Sequence, residues 1–189
     1  MLTVVAGSAI AGYKLGDEPA DFKLKNIDSS MVSLADFTTA RGVMIVFTSN
    51  NCQQSMWYED RILELARKIS KSGWKTIAIN SVASSDGADE SFEGNMKRSE
   101  EKTYEFPYLR DENQAVARAF GVVAVPTVYL LRCVGTTFQI KYIGAIDDMP
   151  DPSKKIHNRF VEMNVEYINA NQPSDTPMSK VLGCPLKYR

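Results

Sequence analysis

The sequence is poor in the residues that most often bind metals. It contains one histidine, His157, and only three cysteines, at positions 52, 133 and 184. Structural zinc sites draw about four ligands from closely spaced cysteines and histidines, so this scatter predicts no metal centre. His157 stands near Lys154 and Lys155 and is interpreted as a solvated surface residue. No motif indicates an organic cofactor, so we expect none.

A dominant charge of one sign is also lacking. Lysine and arginine number 22 against 23 acidic residues, for a formal net charge of −1. No basic block is present, so neither nucleic acid nor a membrane surface is an expected partner. No uninterrupted apolar run approaches about 18 residues, so no membrane-spanning helix is predicted. The pattern gives no oligomeric state.

The N-terminus has the composition of an export signal without its full length. Residues 1–12 are small, apolar and uncharged, and Ala9-Ile10-Ala11 has the form of a signal-peptidase site, although a basic leading region is absent. We therefore expect a trimmed signal and a periplasmic or otherwise exported protein. The alternative is the flexible tail of a cytoplasmic protein.

The remaining chain is expected to form one domain. With 189 residues and 44% hydrophobic content, it can bury a sizeable core. No internal repeat or low-complexity linker divides it. We assign residues 13–171 to the domain and residues 172–189, which are rich in proline and serine, to a C-terminal tail of that domain.

The hydrophobic pattern predicts the order hairpin, β, α, β, α, β, α, β, β, α. The continuous apolar run at residues 43–47 is typical of a central strand buried on both faces. Alternation of strands and helices favours a mixed α/β sheet with helices on both faces. The predicted strands are 21–25, 31–34, 43–47, 74–82, 106–109, 122–131 and 138–143, and the predicted helices are 53–70, one opening at 91–93, 112–120 and 155–169.

Cys52 lies where the central strand gives way to the first helix. A cysteine at a helix start sits in the positive field of the helix dipole and near unpaired backbone N–H groups, which favours its thiolate. We interpret Cys52 as reactive; the alternative is an inert, half-buried cysteine. Ser49 stands three residues earlier, where a Cys-x-x-Cys pair would have its first cysteine. Cys133 is interpreted as structural or incidental. Tyr58, Glu59 and Asp60 could contact a substrate or solvate the helix, and we favour solvation.

The element order, Cys52 at a strand–helix junction and Pro126 before a later strand resemble the thioredoxin-like fold, a three-layer α/β/α sandwich with a mixed central sheet and here an N-terminal β-hairpin. The chain looks most like the redoxin branch, the alkyl hydroperoxide reductase and thiol-specific antioxidant relatives. The tail Gly183-Cys184-Pro185 resembles the Gly-Cys ending of one bacterial subgroup. The segments that carry the redoxin resemblance are residues 16–22, 32–37, 58–61, 78–81, 106–111 and 142–148.

This resemblance implies thiol chemistry, but the motif around Cys52 departs from the motif of the family. The bacterial subgroup has Cys-Asn-His-Cys-Pro where this chain has Ser49-Asn50-Asn51-Cys52-Gln53, so the cysteine that attacks substrate disulfides is missing. Peroxiredoxins instead carry Thr/Ser-x-x-Cys, in which the hydroxyl group binds the thiolate. Ser49 and Cys52 match that motif, but Ile45 replaces the proline that precedes it, and no arginine matches the thiolate-stabilising one.

Two functions of different classes follow from the resemblance. The first is a thiol oxidoreductase that uses Cys52 of the Ser-x-x-Cys motif as its single reactive cysteine and acts on a peroxide or on a protein thiol or disulfide. The second is a non-catalytic protein that keeps the groove beside the proline for a peptide or protein partner. The residues implied to border the substrate are Thr48, Asn50, Asn51, Val125 and Pro126, with the proline in a cis peptide bond.

Cys184 is the last candidate site residue. About 15 residues separate it from the predicted end of the last helix, and at roughly 3.3–3.6 Å per residue they could span about 50 Å. The flanking Gly183 and Pro185 indicate a defined turn. We therefore predict that Cys184 reaches Cys52 and resolves its sulfenic acid as a disulfide. The alternative is a spectator cysteine in a loose tail.

Overall fold

The computed structural model describes residues 12–189. The predicted export signal, residues 1–12, therefore lies almost wholly outside the described residues. The elements in chain order are β1 Lys23–Asn26, β2 Met31–Ser33, β3 Gly42–Thr48, α1 Gln53–Ser70, β4 Trp74–Asn80, α2 Phe92–Lys102, β5 Tyr108–Arg110, α3 Ala115–Phe120, β6 Ala124–Val125, β7 Thr127–Val134, β8 Thr137–Gly144, α4 Phe160–Asn169 and β9 Cys184–Pro185.

Seven strands form one mixed sheet in the order β2-β1-β5-β4-β3-β7-β8. Strands β3, β4 and β5 run parallel, as expected where helices connect consecutive strands. The two hairpins, β1–β2 and β7–β8, add antiparallel strands at the edges. The predicted thioredoxin-like α/β architecture with a mixed sheet and an N-terminal hairpin is confirmed.

The core lies on both faces of β3, because every residue of that strand is buried. Val43, Ile45 and Phe47 contribute to the cluster on the face covered by α3. Met44 and Val46 contribute to the opposite cluster, which α1 and α4 cover. This two-sided burial explains the unbroken apolar run in the sequence. None of the described helices is long and apolar enough to cross a membrane.

The predicted strand at residues 122–131 is wrong as a single element. A cis peptide bond joins Val125 to Pro126 and separates β6 from β7. Proline has no backbone N–H and interrupts a hydrogen-bonded ladder. Strand β6 leaves the main sheet and pairs with β9, so the tail contains a strand that the sequence pattern did not reveal.

Two predicted helix starts are also too early. The helix expected at residue 112 begins at Ala115, because Gln114 has left-handed backbone with φ of 56°. The helix expected at residue 155 begins at Phe160. The Asp148 carboxylate accepts the backbone N–H groups of His157 and Asn158, each at 3.0 Å, which holds that segment in a loop.

The interpretation of Tyr58 and Glu59 as solvating residues is wrong. Tyr58 is buried and its hydroxyl donates to Asp147 Oδ1 at 2.9 Å. Glu59 is buried and pairs with Arg98, whose guanidinium donates at 2.8 and 2.6 Å. Only Asp60 is exposed. Both buried side chains join α1 to other parts of the fold, which a helical wheel alone does not show.

Candidate redox site

The structure joins Cys52 and Cys184 in a disulfide. Their Cα atoms are 5.9 Å apart, although 132 residues separate them in sequence. This Cα separation lies within the usual range for a disulfide. Cys133 is a free, half-buried cysteine whose Sγ lies 3.0 Å from the carbonyl oxygen of Thr38.

Cys52 is held at the start of α1. It is the N-cap residue rather than a residue of the first turn, and its carbonyl accepts the Met56 N–H at 3.0 Å. Its own N–H donates to Ser49 Oγ at 3.0 Å. Only 3% of Cys52 is exposed, so Cys184, which is half-buried, is the more accessible member of the pair.

Cys184 is positioned by a short antiparallel pair. Val125 of β6 lies opposite Cys184, and Leu186 N–H donates to Val123 O at 2.9 Å. Gly183 is required by this close approach, because a Cβ atom there would lie 2.6 Å from the carbonyl carbon of Val125. The predicted turn around Cys184 is therefore a strand packed against the residues that precede Pro126.

The tail is fastened on both sides of Cys184. Before it, Ser179 N–H donates to Ile143 O at 3.1 Å, and Ser179 Oγ accepts the Ala145 N–H at 2.9 Å. After it, Gln114 donates to Lys187 O at 2.8 Å and accepts the Arg189 N–H at 2.9 Å. These bonds hold the tail on either side of Cys184, which lies beside the start of α1.

A buried carboxylate, Glu90, lies behind the Ser-x-x-Cys segment. It is 1% exposed, and its Oε1 accepts Ser49 Oγ at 2.6 Å and Asn51 N–H at 2.8 Å. Its Oε2 accepts Asn80 Nδ2 at 2.7 Å. In this disulfide-bonded state the Ser49 hydroxyl proton is thus directed at Glu90, not at the sulfur of Cys52 as the motif led us to expect.

Asn50 joins the same network from the other side. Its Nδ2 donates to Asn95 Oδ1 at 2.9 Å, and its Oδ1 accepts the Tyr108 hydroxyl at 2.7 Å. Burial raises the pKa of Tyr108 well above its ordinary value, so the phenol stays protonated and donates. Asn50 therefore fixes the loop between β3 and α1.

The other residues expected to border a substrate are mostly covered. Thr48, Val125 and Pro126 are buried, while Asn51 is exposed. The Val125 carbonyl oxygen lies 3.3 Å from Cys52 Sγ, which places residues 125–126 directly beside the sulfur.

Gln54, in the first turn of α1, contacts both sulfurs and is a candidate that sequence reasoning missed. Its Oε1 lies 3.4 Å from Cys52 Sγ and 3.2 Å from Cys184 Sγ. Glu90 was missed as well. The position of Gln54 two residues after Cys52 was a usable signal, whereas nothing local in the sequence places Glu90 beside Ser49.

Comparison with known proteins identifies the family. The AhpC/TSA family matches residues 15–143, more than half of the chain, so the chain belongs to the AhpC/TSA family. Cys52 and Pro126 fall inside the matched range and Cys184 outside it. No match is found among proteins with curated functions.

Solved structures agree with this fold. A hypothetical protein from Sinorhizobium meliloti 1021 is 25% identical, with a TM-score of 0.85 over 95% of this chain and 97% of that chain. An uncharacterized conserved protein from Geobacillus kaustophilus is 26% identical, with a TM-score of 0.85 over 93% of each chain. Peroxidoxin BcpB from Mycobacterium tuberculosis is 16% identical, with a TM-score of 0.60 over 83% of this chain and 97% of that chain, a likeness of fold.

Proposed function

We propose that the chain is a thiol–disulfide oxidoreductase whose redox centre is the pair Cys52 and Cys184. The observation that carries the proposal is the disulfide at the start of α1, beside Pro126, in a member of a redoxin family. Ser49 occupies the position of the first cysteine of a Cys-x-x-Cys pair, so that thiol is absent. Cys184 supplies the missing thiol from the tail.

The proposed reaction is a two-electron exchange. An external thiolate attacks Cys184 Sγ, the more accessible sulfur, and the disulfide bond breaks as Cys52 leaves with the electron pair as a thiolate. The N-terminal end of α1 stabilises that thiolate. A second external thiolate attacks the external sulfur of the mixed disulfide, which releases the Cys184 thiolate and an external disulfide. In reverse, the same steps reduce a protein disulfide.

The fastened tail supports this role, because the bonds of Ser179 and Gln114 hold Cys184 near Cys52 after reduction. Re-forming the disulfide then needs no search by a long flexible segment. The pairing of β9 with β6 also argues against a purely non-catalytic binding protein. The strand edge beside Pro126, where a partner peptide would lie, is already covered by residues of the tail.

Peroxide reduction is the second candidate, favoured by Ser49-x-x-Cys52. A Cys52 thiolate would attack the peroxide, the O–O bond would break with loss of hydroxide or an alkoxide that solvent protonates, and the Cys184 thiolate would displace hydroxide from the sulfenic acid as the disulfide forms. Two observations favour thiol exchange instead. Cys52 is buried from solvent. The ionisable side chain that contacts Ser49 of the Ser-x-x-Cys motif is the carboxyl group of Glu90, rather than a lysine or an arginine.

For the compartment, we propose export. A disulfide is maintained in oxidising compartments and reduced in the cytosol, and residues 1–12 have the composition of a signal remnant. Fractionation of the native host with alkylation of free thiols tests this. An exported pool is the expected result, and a purely cytoplasmic pool contradicts it.

Two assays on one set of variants test the function. Insulin reduction with dithiothreitol and consumption of hydrogen peroxide are measured for wild type, Cys52→Ser and Cys184→Ser, with Cys133→Ser as the control. We expect insulin reduction that both site variants lose and the control keeps. Loss of peroxide consumption alone would favour the second candidate, and wild-type inactivity in both assays would favour the non-catalytic alternative.

A further inference from the structure

We propose that Gln54 is a catalytic residue of the Cys52–Cys184 disulfide, whose carboxamide stabilises the sulfur that carries negative charge during exchange. The inference rests on the proposed function, because it assigns a role within that reaction. Neither the Ser-x-x-Cys motif nor the family match assigns a role to this side chain.

The geometry points to Gln54 because one side chain touches both reacting atoms. Its carboxamide oxygen, Oε1, is 3.4 Å from Cys52 Sγ and 3.2 Å from Cys184 Sγ in the disulfide-bonded state. The side chain is half-buried and projects from the first turn of α1, which fixes its backbone. The neighbouring Gln53 is exposed, with the same functional group at the same end of the same helix.

The surroundings of Cys52 create a need for a donor. The other polar contact described for Cys52 Sγ is the Val125 carbonyl oxygen at 3.3 Å. A carbonyl oxygen accepts a bond from a thiol but repels a thiolate. Among these described contacts of the sulfur, Gln54 is the one whose side chain carries hydrogen-bond donors. It therefore offsets the unfavourable carbonyl when Cys52 becomes a thiolate.

A carboxamide suits this task because it serves both charge states. Its oxygen accepts and its NH₂ donates, and rotation by half a turn about the Cγ–Cδ bond exchanges the two groups. The oxygen can accept the S–H of a neutral thiol, and the NH₂ can donate to a thiolate. Gln54 gives up no proton in either state, so the electron pair stays on the leaving sulfur, and solvent supplies any proton.

Rapid-mixing reduction of the oxidised protein by dithiothreitol tests the role. We expect Gln54→Met, which keeps length but lacks the amide, to be reduced about tenfold more slowly, the effect of losing one hydrogen bond to a charged group. Gln53→Met is the matched control and should react as wild type does. Equal rates for wild type and Gln54→Met, or equal slowing of Gln53→Met, would overturn the proposal.

A second variant separates electrostatics from packing. Glu is the residue closest in shape to Gln, so a purely structural role predicts that Gln54→Glu reacts as wild type does. The proposed role predicts that Gln54→Glu is slower than Gln54→Met at neutral pH, because its carboxylate repels the thiolate. The wild-type disulfide is followed in the same runs. If the wild-type disulfide is reduced and re-forms but both variants react at the wild-type rate, the inference fails and the proposed function stands. If the wild-type disulfide is not reduced and re-formed, both fail.

Discussion

Val125 and Cys184 lie opposite each other in an antiparallel pair, and the Val125 carbonyl oxygen is 3.3 Å from the sulfur of Cys52. Val125 thus contacts Cys184 through strand pairing and Cys52 through its carbonyl oxygen. The tail that carries Cys184 therefore packs against the segment before Pro126 and forms part of the candidate site.

The close approach of Gly183 leads to the first prediction. In Gly183→Ala the added Cβ collides with the Val125 carbonyl group, so β9 must move away from β6. We expect the disulfide to re-form at least several-fold more slowly after reductant is removed, as followed by timed alkylation and mass spectrometry. Leu182→Ala, an exposed neighbour, is the control. An unchanged rate for Gly183→Ala would show that this packing does not set the position of Cys184.

The length of the loop closed by the disulfide leads to the second prediction. The two cysteines are 132 residues apart, and closing so long a loop restricts the unfolded chain. We expect reduction to lower the free energy of unfolding by about 2–4 kcal/mol, measured by urea unfolding with and without reductant. Cys133→Ala should show the same difference. No difference in wild type would mean that the tail contributes nothing to stability through its cross-link.

Glu90 provides a third prediction. Its two oxygens accept bonds from Ser49, Asn51 and Asn80. In Glu90→Gln an NH₂ group replaces one acceptor and must face a donor, so we expect a loss of about 1–3 kcal/mol in unfolding free energy. The exposed neighbour variant Asp89→Asn should change it by less than about 0.5 kcal/mol. Equal stability of Glu90→Gln and wild type would contradict the assigned hydrogen bonds.

The tail bonds of Gln114 provide a fourth prediction. Asparagine tolerates the left-handed backbone at this position, but its shorter side chain does not reach Lys187 and Arg189. We expect Gln114→Asn to re-form the disulfide several-fold more slowly, whereas Lys187→Ala, which keeps the carbonyl group, matches wild type. The measurement is the rate of loss of free thiol after reductant is removed. Identical rates would mean that other contacts hold the tail.

Much of the fold follows from local patterns in the sequence. Strand β3 and helix α1 were predicted almost to the residue, because a fully apolar run and helical spacing are local signals. The strand expected at residues 122–131 failed as a single element because the cis peptide at Pro126 ends β6, and because β6 pairs with β9 of a tail some 60 residues away. Such long-range pairing leaves no periodic trace in the sequence.

The site divides in the same way. Cys52 and Ser49 were predicted as site residues from a helix start and a three-residue spacing, and Cys184 from its flanking glycine and proline. Glu90 was not found, because a loop between β4 and α2 brings it to Ser49 only in the folded chain. The direction of the Ser49 hydroxyl also follows from that contact. Gln54 was missed although it stands two residues after Cys52, and its contact with Cys184 forms only in the folded chain.

Non-reducing peptide mapping tests the central claim most directly. The reduced full-length protein is oxidised with glutathione disulfide, its free thiols are trapped by alkylation, and the peptides are identified by mass spectrometry. We predict a cross-linked pair of peptides containing Cys52 and Cys184, lost again on reduction, with Cys133 alkylated throughout. Recovery of Cys52 as a free thiol, or cross-linked to Cys133, would contradict the account.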